Sequence, residues 1–227
     1  MALPHYPALK TSADAIVLLS GGIDSAVALY WALKVGHLNV QTLTFDYYRR
    51  SRKEITASKK ISRFTGCANT TLRLDFLREI DDWKDKSAKK NSRLKGAELA
   101  YIPARNVIFY GIAASIAEPR DCRYIVGGHN RDDVATFPDS SPAFFRRFNA
   151  LTSVGLFSGA RTSRVILPLS KLRKSAVVKL GKSLGVPFGL TWSCYYDGDS
   201  PCGTCHACCL REFAFSAARV QDPLLVH

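Results

Sequence analysis

The chain has no run approaching the roughly 20 apolar residues that a membrane-crossing helix needs, and no internal repeat or low-complexity tract. Its first residues, with Pro4 and Pro7 ahead of a short apolar run, lack the layout of a secretory signal, so a cytoplasmic location is expected. At 227 residues there is room for one substantial core with an appendage, which leaves none for a separate RNA-binding domain. Acidic residues are the scarce class: 19 Asp and Glu stand against 32 Lys and Arg, for a formal charge of +13. That excess permits attraction to a polyanion, nucleotide or nucleic acid, without choosing between them. Arg49, Arg50, Arg52, Lys53, Lys59, Lys60 and Arg63 fall along one predicted helix, and Lys84, Lys86, Lys89, Lys90, Arg93 and Lys95 in a polar connection. Both groups read first as solvated surface. A tRNA or a protein is the alternative partner for them, but nucleic acid is not the expected one.

Cysteine is present in an odd number, seven, and four of the seven crowd into one short segment. Cys194, Cys202, Cys205 and Cys208 have the spacing C-x7-C-x2-C-x2-C. This argues for metal ligation in a reducing compartment over a disulfide framework. Four thiolates satisfy tetrahedral zinc and leave no position open for water, so a structural Zn2+ is expected, with an iron-sulfur cluster or free core thiols as alternatives. Cys67 and Cys122 read as packing residues, and Cys209 and His206 as spare groups outside the ligand set.

Short β-branched or leucine-rich runs recur at Ala15 to Leu19, Leu38 to Phe45, Thr70 to Leu74, Arg123 to Val126 and Val165 to Leu167. Helix-period segments alternate with them: Asp24 to Val35, Lys53 to Phe64, Ala104 to Ala117, Pro142 to Leu156 and Lys174 to Leu184. Such alternation predicts an α/β fold, a doubly wound parallel sheet with helices on both faces. We divide the chain into an α/β domain over residues 1–188 and a small C-terminal zinc-binding helical segment over 189–227. Asp75 to Ala100 breaks the rhythm and is expected to be an active-site flap or mobile insertion. Pro103 is placed at the start of the following helix.

The most informative stretch is Ser20-Gly21-Gly22-Ile23-Asp24-Ser25, immediately behind the first predicted strand and ahead of the first helix. A first helical turn has backbone N–H groups without intrahelical acceptors, glycines allow close approach, and the flanking hydroxyls add uncharged donors. The result is an anion site suited to pyrophosphate. No Gly-Lys-Ser/Thr follows, so it is not a Walker A loop, and the third glycine of a dinucleotide fingerprint is missing. The six residues match the Ser-Gly-Gly-x-Asp-Ser loop of the N-type ATP pyrophosphatases.

Over most of its length the chain resembles the QueC family, the 7-cyano-7-deazaguanine synthases, within the pyrophosphatase-loop (adenine nucleotide alpha hydrolase-like, HUP-type) superfamily. The resemblance is carried by Ser20 to Ser25; by Phe45, Asp46 and Tyr47 before an Arg-rich helix start; by Pro103, Ala104, Arg105 and Asn106; by Gly128 to Asp139; and by Cys194 through Arg211. The chain departs from the family where many bacterial members read Asp-Tyr-Gly-Gln-Arg-His and it has Asp46, Tyr47, Tyr48, Arg49, Arg50 and Ser51.

The resemblance implies ATP-dependent conversion of 7-carboxy-7-deazaguanine and ammonia to the nitrile through adenylated intermediates, with ATP, Mg2+ and Zn2+ as cofactors and a homodimer as the assembly. It places the nucleotide along Leu19, Ser20, Gly21, Gly22, Ile23, Asp24, Ser25, Ala26, Val27, Ala28 and Leu29. Ser20, Gly21, Gly22 and Ser25 would hold the β and γ phosphates, Asp24 would orient the loop or help place Mg2+, and Arg105 would contact a phosphate or carboxylate. Asp133 and Asp139 are candidates to read the guanine-like edge and Phe137 to stack on the base. The plainer readings are a helix-start surface arginine for Arg105 and capping roles for the two acids. His129 is read as structural. Two alternative activities use the same loop: joining an activated deazaguanine to a protein acceptor, as in antiviral defence, and modification of tRNA.

Overall fold

The computed structural model describes residues 13–48, 50–88, 102–157, 159 and 163–225, without the side chains of 84–88, 135 and 136. Five parallel strands form one sheet in the order β3-β2-β1-β4-β5. They are β1 (Ala15–Leu18), β2 (Val40–Asp46), β3 (Ala68–Arg73), β4 (Tyr124–Val126) and β5 (Arg164–Ile166). β1 and β2 are buried almost end to end, as strands covered on both faces should be. Each expected strand is present, with ends shifted by a residue or two.

Helices α1 (Ile23–Lys34), α2 (Arg52–Phe64), α7 (Lys174–Leu184) and α8 (His206–Ala218) contribute to one core with the sheet, and α3 (Leu77–Ala88), α4 (Arg105–Ala117) and α6 (Pro142–Gly155) to the other; the short α5 (Arg131–Thr136) lies beyond β4. α4 shows why these segments are helical. Tyr110, Ala113, Ala114 and Ala117, spaced by three and four, are all buried on one stripe. α2 meets the sheet differently, through a polar seam: Thr42 Oγ1 lies 3.0 Å from Ser62 Oγ, and Thr44 Oγ1 lies 3.2 Å from Ser58 Oγ.

Three expectations need correction. The segment from Asp75, expected to be a flap, opens instead with α3, whose Leu77 is fully buried in the second core; residues 89–101, with Lys89, Lys90, Arg93 and Lys95, lie outside those described, as does Arg49. The next helix begins at Arg105 and not at Pro103, because Ala104 is its N-cap in the left-handed conformation, φ 55°. Helix α5 was not expected, and α8 falls in the C-terminal segment expected to be helical, although its bounds were not read. α8 places Arg211, Ala214, Phe215 and Ala218 on its buried face, but a buried arginine and a run of cysteines conceal that period in the sequence. Its Phe215 packs edge-on against Phe188, 5.1 Å between ring centroids.

The strand order reverses at β1, which has β2 on one side and β4 on the other. In such sheets the crevice beyond the carboxyl ends of the central strands receives ligands. The loop after β1 lies there.

Candidate active site and metal centre

Leu19 to Gly22 connect β1 to α1, and Gly22 is the N-cap without any side-chain cap. Gly21 has φ +94°, and a Cβ there would stand 2.2 Å from the Glu54 carbonyl oxygen, so only glycine fits. The two serines close the loop on itself. Their hydroxyls are 3.0 Å apart; Ser25 Oγ accepts from Gly21 N at 3.2 Å and Ser20 Oγ from Gly22 N at 3.2 Å. The next three N–H groups, of Ile23, Asp24 and Ser25, belong to the first turn of α1 and have no intrahelical acceptor. Gly128, beyond β4, lies so close to this turn that a Cβ would meet Ser25 N at 2.9 Å. Ala26, Val27, Ala28 and Leu29, expected along the nucleotide, are wholly buried in the core. There they seat the helix against the sheet.

Asp24 is held from two sides. Its Oδ1 accepts from Asn130 Nδ2 at 3.1 Å and its Oδ2 from Lys174 Nζ. Burial pulls the Lys174 ammonium downward, but the charges of Asp24 and Asp133 and the bond to Asp24 together hold it above its ordinary value. Neither Lys174 nor Asn130 was legible as a site residue. Asp133 completes a capping box at the start of α5, accepting from Asn130 N at 3.0 Å while Asn130 Oδ1 accepts from Asp133 N at 3.2 Å. Burial, then the charge of Asp24, raises its carboxyl to about 6. Asp139 accepts from Asn106 N at 3.2 Å and so caps α4. Both acids therefore have capping duties. Phe137 is half-buried at the end of α5. Arg105 is also half-buried, and among the described residues its guanidinium has no acidic partner. Its charge is felt by His129, whose pKa burial and Arg105 lower to about 4, keeping the ring neutral at neutral pH.

On the other side of β1 a cavity of about 90 Å3 is bounded by Leu43, Phe45, Tyr47, Phe109, Ser20 and Arg50. Arg50 is a third residue that sequence reasoning missed. Expected on a solvated helix face, its side chain is 4% exposed and bonds the carbonyl oxygens of Ser20 and Phe45.

The four expected metal ligands converge. The sulfur atoms of Cys194, Cys202, Cys205 and Cys208 all lie within 4.8 Å of one another, with Cys202–Cys208 at 3.9 Å and Cys194–Cys205 at 4.0 Å. A tetrahedral zinc with Zn–S bonds of ~2.3 Å requires sulfurs about 3.8 Å apart, which these residues meet with little movement. Cys194 Sγ accepts from Tyr196 N and Cys202 N, each at 3.4 Å, as a thiolate would. Backbone donation from Thr204 and Cys205 lowers the Cys202 thiol to about 6, whereas burial pushes Cys208 to about 12. His206 and Cys209 are exposed, with Cys209 Sγ directed to the carbonyls of Gly203 and Thr204. Cys67 and Cys122 lie apart, and burial raises both thiols. The cysteine segment reaches the loop directly: Trp192 N donates to the Gly21 carbonyl at 2.9 Å, and Asp197 accepts from Ser51 Oγ at 2.5 Å and Lys53 N at 3.1 Å. Behind it, buried Arg211 pairs with Asp222 at 2.6 and 2.8 Å.

Among solved structures the fold is similar to NMN synthetase from Francisella tularensis, with a TM-score of 0.51 at 19% identity over 92% of this chain and 79% of that one. Proteins called 7-cyano-7-deazaguanine synthase are much nearer in sequence. The one from Thermoplasma acidophilum is 36% identical over 92% of this chain and 90% of its own, and the one from Trichormus variabilis 34% identical over 92% and 96%. The profile of the family described as queuosine biosynthesis protein QueC matches residues 14–219. The chain belongs to the QueC family.

Proposed function

We propose that this enzyme converts 7-carboxy-7-deazaguanine and ammonia to 7-cyano-7-deazaguanine, with cleavage of ATP between its α and β phosphates. The observation that carries the reading is the loop at Ser20–Ser25, where uncommitted N–H groups and Lys174 converge at the point of sheet reversal in a chain of this family.

A carboxylate resists ammonia because its charge repels the nucleophile and oxide is a poor leaving group. Adenylation removes both obstacles. A carboxylate oxygen attacks the α phosphorus, the bond from that phosphorus to the bridging oxygen breaks, and pyrophosphate leaves with the electron pair. The N–H groups of Ile23, Asp24 and Ser25 and the Lys174 ammonium would receive the charge that develops on it. Ammonia then adds to the acyl carbon, AMP departs and a proton is lost, giving the amide. Activation of the amide oxygen in the same way, followed by loss of AMP and the nitrogen-bound protons, leaves the nitrile. Both activations take place at one carbon, so one site suffices, and holding the acid beside the α phosphate supplies much of the rate.

Arg105 would orient the reacting carboxylate or a phosphate. Asp133 and Asp139 each have one oxygen engaged in a cap, which leaves the other for the base edge, with Phe137 stacking on the ring. Mg2+, when bound, neutralises phosphate oxygens; because Asn130 and Lys174 occupy both oxygens of Asp24, we assign Asp24 to orienting the loop. The four cysteines would hold a structural Zn2+. A cytoplasmic homodimer completes the reading, and no helix among the described residues is long and apolar enough to cross a membrane.

The test is mass spectrometry of the products from ATP, ammonium and 7-carboxy-7-deazaguanine. The nitrile should appear with AMP and pyrophosphate. Nucleotide recovered intact, or acid consumed only when a protein acceptor is added, would overturn the proposal.

A further inference from the structure

We infer that Arg50 is a positioning residue that fixes the direction of the loop's N–H groups from behind. The inference rests on the reading of Ser20–Ser25 as the polyphosphate site. Three consecutive carbonyls of this loop are each held by a donor from outside it. Leu19 O accepts from Thr44 Oγ1 at 2.9 Å, Ser20 O from the Arg50 guanidinium, and Gly21 O from Trp192 N at 2.9 Å. In a planar trans peptide the C=O and N–H point in opposite directions. Gripping the Ser20 oxygen therefore aims the Gly21 N–H, and gripping the Gly21 oxygen aims the Gly22 N–H. Both N–H groups end on the serine hydroxyls, Gly21 on Ser25 and Gly22 on Ser20, each at 3.2 Å. Those hydroxyls are neutral and rotatable, so a phosphate oxygen can replace them. Successive N–H groups turned to one side form an anion-binding concavity.

Arg50 differs from the other two clamps. Its guanidinium also bonds a second carbonyl, that of Phe45 near the end of β2, so one side chain fixes the loop and the strand end together. It is not placed as the phosphate's cation: its side chain is 4% exposed and Glu54 Oε2 lies 3.1 Å from its Nε. Buried and neutralised by Glu54, it acts on the ligand only through the backbone that it holds. Gly21 makes the geometry strict, because at φ +94° it has conformational freedom that nothing in its own side chain restrains. Without the clamp on Ser20 O, the Ser20–Gly21 peptide is free to rotate and its N–H to leave the site.

The test compares wild type, Arg50→Gln and Arg50→Lys in binding α,β-methylene-ATP with Mg2+, by calorimetry and by the amide resonances of Gly21 and Gly22. With native circular dichroism, Arg50→Gln should bind about tenfold more weakly or worse, its Gly21 amide should be displaced before ligand is added, and the ligand-induced shift there should shrink. Arg50→Lys, which keeps the charge but not the fork, should fall between the two. It carries the test if Arg50→Gln does not fold. Wild-type affinity with an undisturbed Gly21 amide in these variants would overturn the clamp while leaving the function standing. If wild type binds the analogue no better than Asp24→Ala does, the assignment of the loop falls, and the clamp with it.

Discussion

Lys174 and Asp24, 150 residues apart in sequence, form an ion pair at the mouth of the loop. Lys174 opens α7 and Asp24 lies in the first turn of α1, while Asn130, which also bonds Asp24, caps α5. Three helix N-termini thus meet at one carboxylate. Each presents the positive end of its dipole there, a field favourable to anions.

Replacing Lys174 by Met removes the cation while leaving the backbone donors. Pyrophosphate release should slow by about a hundredfold, the size of effect seen when one donor to a developing anion is lost. Asp133 should also become harder to ionise, because Lys174 is one of the charges that favour its carboxylate. Pyrophosphate-release kinetics and a carboxyl titration by NMR measure the two effects; an unchanged rate would remove Lys174 from the site.

Ser25→Ala deletes a hydroxyl that accepts from Gly21 N at 3.2 Å and donates to Gly22 O at 3.0 Å. Leaving these groups unpartnered at a buried position should cost about 1–3 kcal/mol, read as a lower urea midpoint with an unchanged slope. AMP formation should be nearly abolished in this variant, and wholly in Asp24→Ala, with both proteins still folded. AMP produced at the wild-type rate by either would show that the loop is not the site of cleavage.

The geometry of the loop was legible because adjacent residues dictate it: a buried strand, Gly21 and Gly22, then a helix start. The four cysteines were legible for the same reason, their ligand spacing being local. What escaped depends on distant pairing. Lys174 stands beside Lys171 and Arg173 with no distinguishing pattern, and its partner is on the first helix. Arg50 lies in the basic run Arg49 to Lys53, where composition says solvent, yet Glu54 and two carbonyls draw it inward. The sheet was read to within a residue or two at each strand because short β-branched or leucine-rich runs between helix-period segments need no partner to be recognised. α5, with six residues, is too short to display a period.

Cys205→Ser should lose the metal, since three thiolates and a hydroxyl bind zinc far less well than four thiolates, and metal-binding energy in such a site is folding energy. Elemental analysis should show depleted zinc and proteolysis should begin within 189–225. Cys209→Ser, altering an exposed thiol outside the cluster, should keep full occupancy. Because Trp192 N holds the Gly21 carbonyl, the Cys205 variant should also bind ATP more weakly than its loss of stability alone requires. Normal zinc content in Cys205→Ser would disprove the four-thiolate assignment.

His129 supplies a pH dependence whose sign can be worked out. Its ring stacks obliquely near Tyr110 and Phe145, at 5.8 and 5.4 Å between centroids, and burial lowers its pKa from 6.5 to about 4. Between those values the unfolded chain takes up a proton that the folded chain refuses. Its contribution to stability is therefore complete above pH 6.5 and declines as the pH falls toward 4. Asp133 acts in the opposite sense: raised from 3.8 to about 6, it favours the folded state at the acidic end of its window and is a penalty that is complete above pH 6. The two are separated by His129→Asn, which removes the first without the second. Between pH 6.5 and 4 this variant should lose less stability than wild type in urea titrations, and the wild-type imidazole should titrate near 4 by NMR. A difference between the two proteins that stays constant across this range would mean that burial does not hold the ring neutral.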